Sequence, residues 1–283
     1  MRIESWIDQA TNKLSGLPHP SARLDAFLLV QRVMNHDKAW ILAHMTDNLA
    51  QSDLRALEQL LSQRESGVPM AYILGNKEFY GRNFSVSNDV LIPRPESEAI
   101  IEILLSESSK LDSGYQIIII DVGTGSGCLA ITAKLEIPRA VVYAIDISEP
   151  ALAIARGNSM ANNAEVTYLQ GNLLEPLSKV VDLHIYNNTK VFILANLPYV
   201  PRDFPLDSTT AKEPTLALFG GDDGLDYYRT LVEQINSTKW RDVSVITESL
   251  ESQHKDMASL FAANDFDFEH SNGLVQLFRK TNT

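Results

Sequence analysis

A glycine-rich heptapeptide, Asp121-Val122-Gly123-Thr124-Gly125-Ser126-Gly127, follows directly on the apolar run Ile117 to Ile120. It leads into a helical pattern carrying Leu129, Ile131 and Leu135. The run reads as a buried strand, and the glycines let the chain turn sharply into the helix behind it. A helix with Ile100, Ile103 and Leu104 precedes this unit. Strands are expected at Val141–Asp146, Val166–Leu169, Val191–Ala195 and Val243–Glu248, with a helix from Pro150, where proline suits the first turn. Alternation of this kind implies an α/β fold with a mostly parallel sheet flanked by helices. A last pair, Phe266–Glu269 and Val275–Arg279, is joined by Ser271-Asn272-Gly273 and predicts an antiparallel C-terminal hairpin.

The first quarter of the chain has another character. Ile3, Trp6, Ile7, Ala10 and Leu14 recur at helical spacing until Gly16-Leu17-Pro18. After Pro20, Leu24, Phe27, Leu28 and Gln31 continue the style, with Val33 and Met34 near its end. Ser52 is placed to cap a third helix whose apolar face is Leu54, Leu57, Leu60 and Leu61. From Ala71 to Leu91, Tyr72, Ile73, Phe79, Tyr80, Phe84, Val86 and Val90 are interleaved with Gly75, Gly81 and Asn88, which suggests a hairpin. The expected organisation is a helical domain over residues 1–70, a β-hairpin linker over 71–92 and an α/β domain over 93–283.

The composition narrows the function classes. A hydrophobic content of 45% suits a globular core, and a net charge of −12 opposes non-specific binding to phosphate backbones. The single cysteine, Cys128, cannot form an intramolecular disulfide and suits a reducing compartment. The start of the chain lacks the apolar stretch of a signal peptide, and no run approaches the roughly 20 apolar residues that span a bilayer. A cytoplasmic location without membrane attachment is expected, and a monomer. The six histidines, His19, His36, His44, His184, His254 and His270, are scattered without ligand spacing, so no metal site is expected. Cys128 and the three tryptophans read as packing residues, and Asp222-Asp223 as a helix cap.

The glycine turn has chemistry of its own. Its Gly-x-Gly-x-Gly spacing differs from the Gly-x-Gly-x-x-Gly of dinucleotide sites and lacks the Gly-Lys-Ser/Thr ending of a phosphate loop. Roughly twenty residues on, Asp146 ends the second strand, where a carboxylate can accept both ribose hydroxyls. A structural turn followed by a helix-capping aspartate would look similar. Further along, Asn196-Leu197-Pro198-Tyr199 sits at the end of the strand Val191–Ala195. An exocyclic or carboxamide –NH2 group is planar and a poor nucleophile because its lone pair is delocalised. The Asn196 side-chain carbonyl and the backbone carbonyl of Leu197 can accept its two N–H bonds and favour a pyramidal nitrogen. Tyr199 can stack on a planar acceptor. Asn and Pro are also ordinary turn residues, so the tetrapeptide alone would fit a plain strand-to-loop turn.

From the glycine turn onward the chain resembles the class I S-adenosylmethionine-dependent methyltransferases, and the tetrapeptide is similar to the Asn-Pro-Pro-Tyr motif of amino-methyltransferases. The resemblance implies a Rossmann-like sheet and an S-adenosyl-L-methionine cofactor, with S-adenosyl-L-homocysteine as product. It assigns Gly123, Thr124, Gly125, Ser126 and Gly127 to the methionine part of the donor and Asp146 to its ribose. Gly171-Asn172-Leu173 stands where the family has Gly-Asp followed by an apolar residue near the adenine. Asn172 departs from that pattern, and Leu173 either packs on the ring or belongs to the core. Leu197 replaces the first proline, keeping the carbonyl and losing a fixed φ.

Longer segments narrow the resemblance. Arg64 to Gly75 with Glu78-Phe79-Tyr80-Gly81, Val90 to Glu98, and Glu213 to Leu225 with Tyr228-Arg229 look like the peptide chain release factor glutamine N5-methyltransferases. The likeness covers nearly the whole chain. It implies methylation of the glutamine in the Gly-Gly-Gln motif of class 1 release factors, with the helical domain holding that protein. It also places Arg94, Pro95 and Glu96 beside the cofactor or substrate channel; a domain-junction turn with a helix-starting glutamate is the plainer account. Departures lie in Val180 to Lys190, longer than the family's turn, and at Leu250, where glycine is usual. Three other functions compete: glutamine methylation of a ribosomal protein, adenine-N6 methylation of nucleic acid, and a cofactor-binding scaffold with weakened catalysis. The net charge and the lack of a basic, aromatic-rich segment argue against nucleic acid.

Overall fold

The computed structural model describes residues 1–16, 21–177 and 188–280. Leu17, Pro18, His19, Pro20, His184 and most of the Val180 to Lys190 departure lie outside them. Two compact units emerge: Met1–Asn76 with Leu206–Lys212, and Lys77–Pro205 with Glu213–Thr283.

The first unit is helical, with α1 (Ile3–Leu14), α2 (Ala22–Met34), α3 (Lys38–Ala43), α4 (Gln51–Glu65) and α5 (Met70–Leu74). In α1 the five residues at helical spacing, Ile3, Trp6, Ile7, Ala10 and Leu14, are the buried ones. The phase of α2 differs from expectation. Its buried residues are Asp25, Ala26, Leu29 and Val30, while Leu24 is 55% exposed. The cause is Asp25, which accepts from Arg64 Nε at 2.8 Å and from Ser21 Oγ at 3.0 Å. A paired carboxylate can enter a core that an unpaired one would avoid. Rotating the helix by one residue to admit Asp25 carries Leu24 out to solvent. Ser52 does not cap α4: the N-cap is Ala50, and the Ser52 hydroxyl donates to Asp53 at 3.2 Å. The residues Tyr72 and Ile73, expected in a hairpin, lie in α5, which Gly75 ends in the left-handed region at φ 77°.

From the last residue of the first unit onward, β1 (Asn76–Phe79) and β2 (Arg82–Ser85) form a two-stranded sheet. The remaining elements are α6 (Glu98–Ser108), β3 (Gln116–Val122), α7 (Cys128–Glu136), β4 (Val141–Asp146), α8 (Glu149–Asn162), β5 (Thr167–Gln170) and β6 (Thr189–Ala195). They continue with α9 (Asp226–Asn236), β7 (Val243–Glu248), α10 (His254–Ala262), β8 (Phe266–Asn272) and β9 (Val275–Lys280). The seven strands run in the order β5-β4-β3-β6-β7-β9-β8. β3 pairs in parallel with both β4 and β6, whereas β9 is antiparallel to β7 and to β8. This is the sheet that the alternating pattern and C-terminal hairpin predict.

Alternating side chains serve the two faces of this sheet. Ile118, Ile120 and Val122 join Val191, Ile193 and Ala195 in one core; Ile117 and Ile119 join Phe192 and Leu194 in the other. That double burial is why β3 and β6 are continuous apolar runs rather than alternating ones. Phe79 and Phe84 of the small sheet pack edge-on at 6.2 Å within the second core.

Strand order reverses beside β3, since β4 and β5 extend to one side and β6 begins the other. Loops leaving the carboxyl ends on either side of such a reversal splay apart and leave a crevice, where open α/β sheets bind ligands. Gly123, the residues after Asp146, and Asn196 all follow strand ends there.

Candidate active site

The glycine loop begins where β3 stops. Gly123 and Thr124 donate their N–H groups to the Ile145 carbonyl at 2.8 and 2.9 Å, which fastens the loop to the end of β4. Gly125 N–H donates to one Asp146 oxygen at 2.8 Å, and Ser148 N–H to the other at 2.9 Å. Ile147 N–H also bonds this carboxylate, which still leaves lone-pair capacity for a ligand hydroxyl. Burial pushes the Asp146 pKa up, against the pull of its backbone hydrogen bonds. At Gly127 a Cβ would stand 3.0 Å from Ile131 and 3.1 Å from Ala155, so this glycine lets α7 and α8 pack closely. At Gly125 a Cβ would meet nothing within 4 Å.

A cleft of about 260 Å³ opens here. Of the residues singled out by sequence, Gly123, Gly125, Asp146, Asn172, Leu173, Asn196, Leu197 and Pro198 line it together. Thr124, Ser126, Gly127, Tyr199, Arg94, Pro95 and Glu96 are not in its lining. Thr124 instead donates to Asp121 at 2.6 Å, and the Ser126 carbonyl accepts from Asn158 at 2.8 Å. Asn172 donates to Glu175 at 3.2 Å, and Leu173 is buried at positive φ. Arg94 pairs with the buried Glu213, whose other oxygen accepts from Ile92 N–H at 3.0 Å. Pro95 and Glu96 border a separate depression with Glu98, Glu102 and Glu251.

The turn Asn196-Leu197-Pro198-Tyr199 is held from behind. Asn196 Nδ2 donates to Ser97 Oγ at 2.8 Å, and Ser97 donates to Glu248 Oε2 at 2.6 Å. Glu248 Oε1 accepts from the Tyr199 hydroxyl at 2.9 Å. Burial raises the pKa of Glu248 and that of Tyr199, where the Glu248 charge adds to it. Gln253 Nε2 donates to the carbonyls of Tyr199 and Asp223, both at 2.8 Å. Val200 N–H donates to the Leu218 carbonyl at 2.9 Å, and Gly220 N–H returns to the Val200 carbonyl at 3.0 Å. The glycines of the segment Glu213 to Leu225 therefore have a steric role: a Cβ on Gly220 would collide with the Pro198 carbonyl, and one on Gly224 with the Tyr199 carbonyl.

Sequence reasoning left several lining residues unassigned: Asn88 to Leu91, Ile147, Ser148, Pro214, Leu216 and Tyr227. It also assigned no role to Ser97, Glu213, Glu248 or Gln253. One signal was available. Glu248 ends the apolar strand β7 as Asp146 ends β4, and a carboxylate at a strand's carboxyl end in this fold faces the ligand crevice or its supports. Leu250, where the resemblance expects glycine, has φ −63°, a conformation open to any residue. Cys128 is held as a thiol, its pKa pushed up to about 12 by burial.

The sheet order and the glycine loop at its reversal define a class I methyltransferase. Residues 5–75 match the family model described as the PrmC N-terminal domain, and residues 101–188 match the methyltransferase small domain. The chain is 31% identical to the release factor glutamine methyltransferase of Bacillus cereus, over 82% of this chain and 81% of that protein. It is 35% identical to that of Koribacter versatilis, over 83% and 81%. The catalytic domain of hMettl16, crystallised with MAT2A 3'UTR hairpin 1, is 11% identical with a TM-score of 0.51, covering 89% of each chain, and shares the fold. The chain belongs to the release factor glutamine methyltransferase family, and it is a methyltransferase.

Proposed function

We propose that this protein transfers a methyl group from S-adenosyl-L-methionine to the side-chain amide nitrogen (N5) of the Gly-Gly-Gln glutamine in class 1 peptide chain release factors. The observation that carries the reading is Asn196: it lines the same cleft as Gly125 and Asp146, with its Nδ2 committed to Ser97. Its Oδ1 is thereby left to accept from an incoming amide.

The cleft suits the donor. Gly125 offers bare backbone with open space before it, the Asp146 carboxylate has lone pairs for ribose hydroxyls, and Leu173 and Ile147 supply an apolar wall. When bound, the donor would supply an electrophilic methyl carbon on a sulfonium; transfer would break the C–S bond, form the N–C bond and release one amide proton to solvent, leaving S-adenosyl-L-homocysteine. The chain's own residues do the rest. Asn196 Oδ1 and the Leu197 carbonyl accept the two N–H bonds of the glutamine, localising the nitrogen lone pair and aiming it at the methyl carbon. Donors and acceptors fixed in advance need no reorganisation at the moment of reaction, which is where their advantage over water arises. The helical unit is the part proposed to hold the release factor. The proposed location is the cytoplasm; among the described residues no helix is long and apolar enough to cross a membrane.

The test offers purified protein and labelled donor to a release factor, ribosomal particles and duplex DNA separately. Label is expected in the release factor alone, and lost when its Gly-Gly-Gln glutamine is changed. Asn196→Ala should lower the rate on the order of 10²-fold or more while donor binding persists. A normal rate in that variant removes Asn196 from the acceptor role.

A further inference from the structure

Glu248 is a carboxylate 1% exposed, and Ser97 is 2% exposed; neither lines the cleft. Burying a carboxylate is expensive unless its oxygens are well supplied with donors. Here both are: Ser97 Oγ reaches Oε2 at 2.6 Å, and Tyr199 OH reaches Oε1 at 2.9 Å. The chain therefore sustains a buried acid in contact with two residues of the acceptor turn's support, and its chemistry sets the direction of each bond.

We propose that Ser97 and Glu248 are positioning residues that fix which way the Asn196 carboxamide faces, turning its oxygen and not its nitrogen toward the substrate. The hydroxyl bonds from Ser97 and Tyr199 pull against burial and favour the ionised acid, which only accepts, so the single hydroxyl proton of Ser97 is committed to Glu248. Ser97 Oγ is then left as an acceptor, and only the nitrogen end of the Asn196 amide can satisfy it, at 2.8 Å. With Nδ2 so held, Oδ1 is the atom presented to the cleft. The opposite rotamer would point two N–H donors at the N–H bonds of a glutamine amide and repel them. An asparagine left to itself tolerates both rotamers, because its two ends have nearly the same shape. Tyr199 completes the arrangement by occupying the second carboxylate oxygen, which ties the last residue of the tetrapeptide to the same acid.

This inference rests on the acceptor role proposed for Asn196, and the experiment separates the two. Measure kcat, the KM for release factor and the donor Kd for Ser97→Ala, Ser97→Thr, Asn196→Ala and the Ser97→Ala/Asn196→Ala pair. Expected is a kcat loss of at least about tenfold in Ser97→Ala, with KM and donor Kd within about twofold. Ser97→Thr, which keeps the hydroxyl, should restore most of the rate. In the pair, Ser97→Ala should add nothing to the loss from Asn196→Ala, because it acts only through that residue. Wild-type kcat in Ser97→Ala, or its full factor persisting in the pair, overturns the positioning role. A normal rate in Asn196→Ala overturns the acceptor reading instead. Should Ser97→Ala not fold, the isosteric Glu248→Gln serves: it can donate to Ser97 and let the amide turn, so kcat should again fall at least about tenfold with donor Kd kept, and an unchanged kcat sinks the proposal.

Discussion

The position that a Cβ on Gly123 would take lies 3.1 Å from Leu197 Cδ2. The glycine loop after β3 and the Asn196–Tyr199 turn after β6 are thus packed directly against each other at neighbouring strand tips. Leu197 is 2% exposed and belongs to the core beneath the cleft, so its side chain supplies packing here and not only a carbonyl. Gly123 also sits at φ 71°, a region that side-chain-bearing residues occupy at a cost of about 1–3 kcal/mol. Gly123→Ala is expected to lower stability by that order and to weaken donor binding, because the loop must shift away from Leu197. Urea denaturation and calorimetric titration with donor read the two effects. If neither changes, the packing between the loops does not set the cleft.

Gly224 makes a different demand. A Cβ there would overlap the Tyr199 carbonyl and approach Gln253 Nε2, the group that clamps that carbonyl. Gly224→Ala should therefore displace the acceptor turn while leaving the glycine loop and Asp146 in place. The expected signature is a fall in kcat on the order of 10²-fold with donor Kd little changed. Equal loss in donor binding would show that the two halves of the cleft are not separable.

How far the sequence revealed this site follows from which interactions are local. The strand–glycine–helix unit and the carboxylate ending β4 are written in contiguous residues, so their geometry could be inferred from Ile117 to Gly127 and from Asp146 alone. The supports of Asn196 could not. Ser97 and Glu248 lie 99 and 52 residues from it; Glu248 arrives because β7 pairs with β6, and Ser97 because α6, which it precedes, packs on β7. The pairing of Asp25 with Arg64 is likewise invisible to periodicity, since 39 residues separate them. A periodic reading sees a polar residue and turns it outward, which is why the face of α2 came out one residue off. Tyr72 and Ile73 failed for a related reason: aromatic and β-branched residues favour strands, yet a single helical turn closed by Gly75 holds them.

That Asp25–Arg64 pair carries its own prediction. Both side chains are under 10% exposed, and Arg64 also donates to the Val68 carbonyl at 3.2 Å. Removing one partner leaves the other charge buried without compensation, at a typical cost of about 3–5 kcal/mol. Asp25→Ala should destabilise the helical unit by that order, seen as a lower thermal midpoint in circular dichroism. Exchanging both residues for apolar side chains of similar volume should recover most of the loss. A change below about 1 kcal/mol in Asp25→Ala would mean that the guanidinium finds water instead.

Asp121 makes the stability of the fold depend on pH. It is 1% exposed, accepts from Thr124 Oγ1 and from Ala130 N–H through Oδ2, and among the described residues has no hydrogen-bond partner at Oδ1. Burial raises its pKa to about 7 from the usual 3.8, the bonds from Thr124 and Ala130 opposing and the nearby Asp146 charge adding. The folded state thus holds a proton that the unfolded chain has released between those values. Stability from this group is fully present below about pH 4 and declines as pH rises to about 7, by about 1.4 kcal/mol per pH unit at most. Above that the loss is constant. Asp121→Asn mimics the neutral acid at every pH, so the gap between variant and wild type should widen in the variant's favour from pH 4 to pH 7. Urea midpoints taken in half-unit steps across that range measure the gap. A gap that stays flat would mean that Asp121 is ionised in the folded protein throughout.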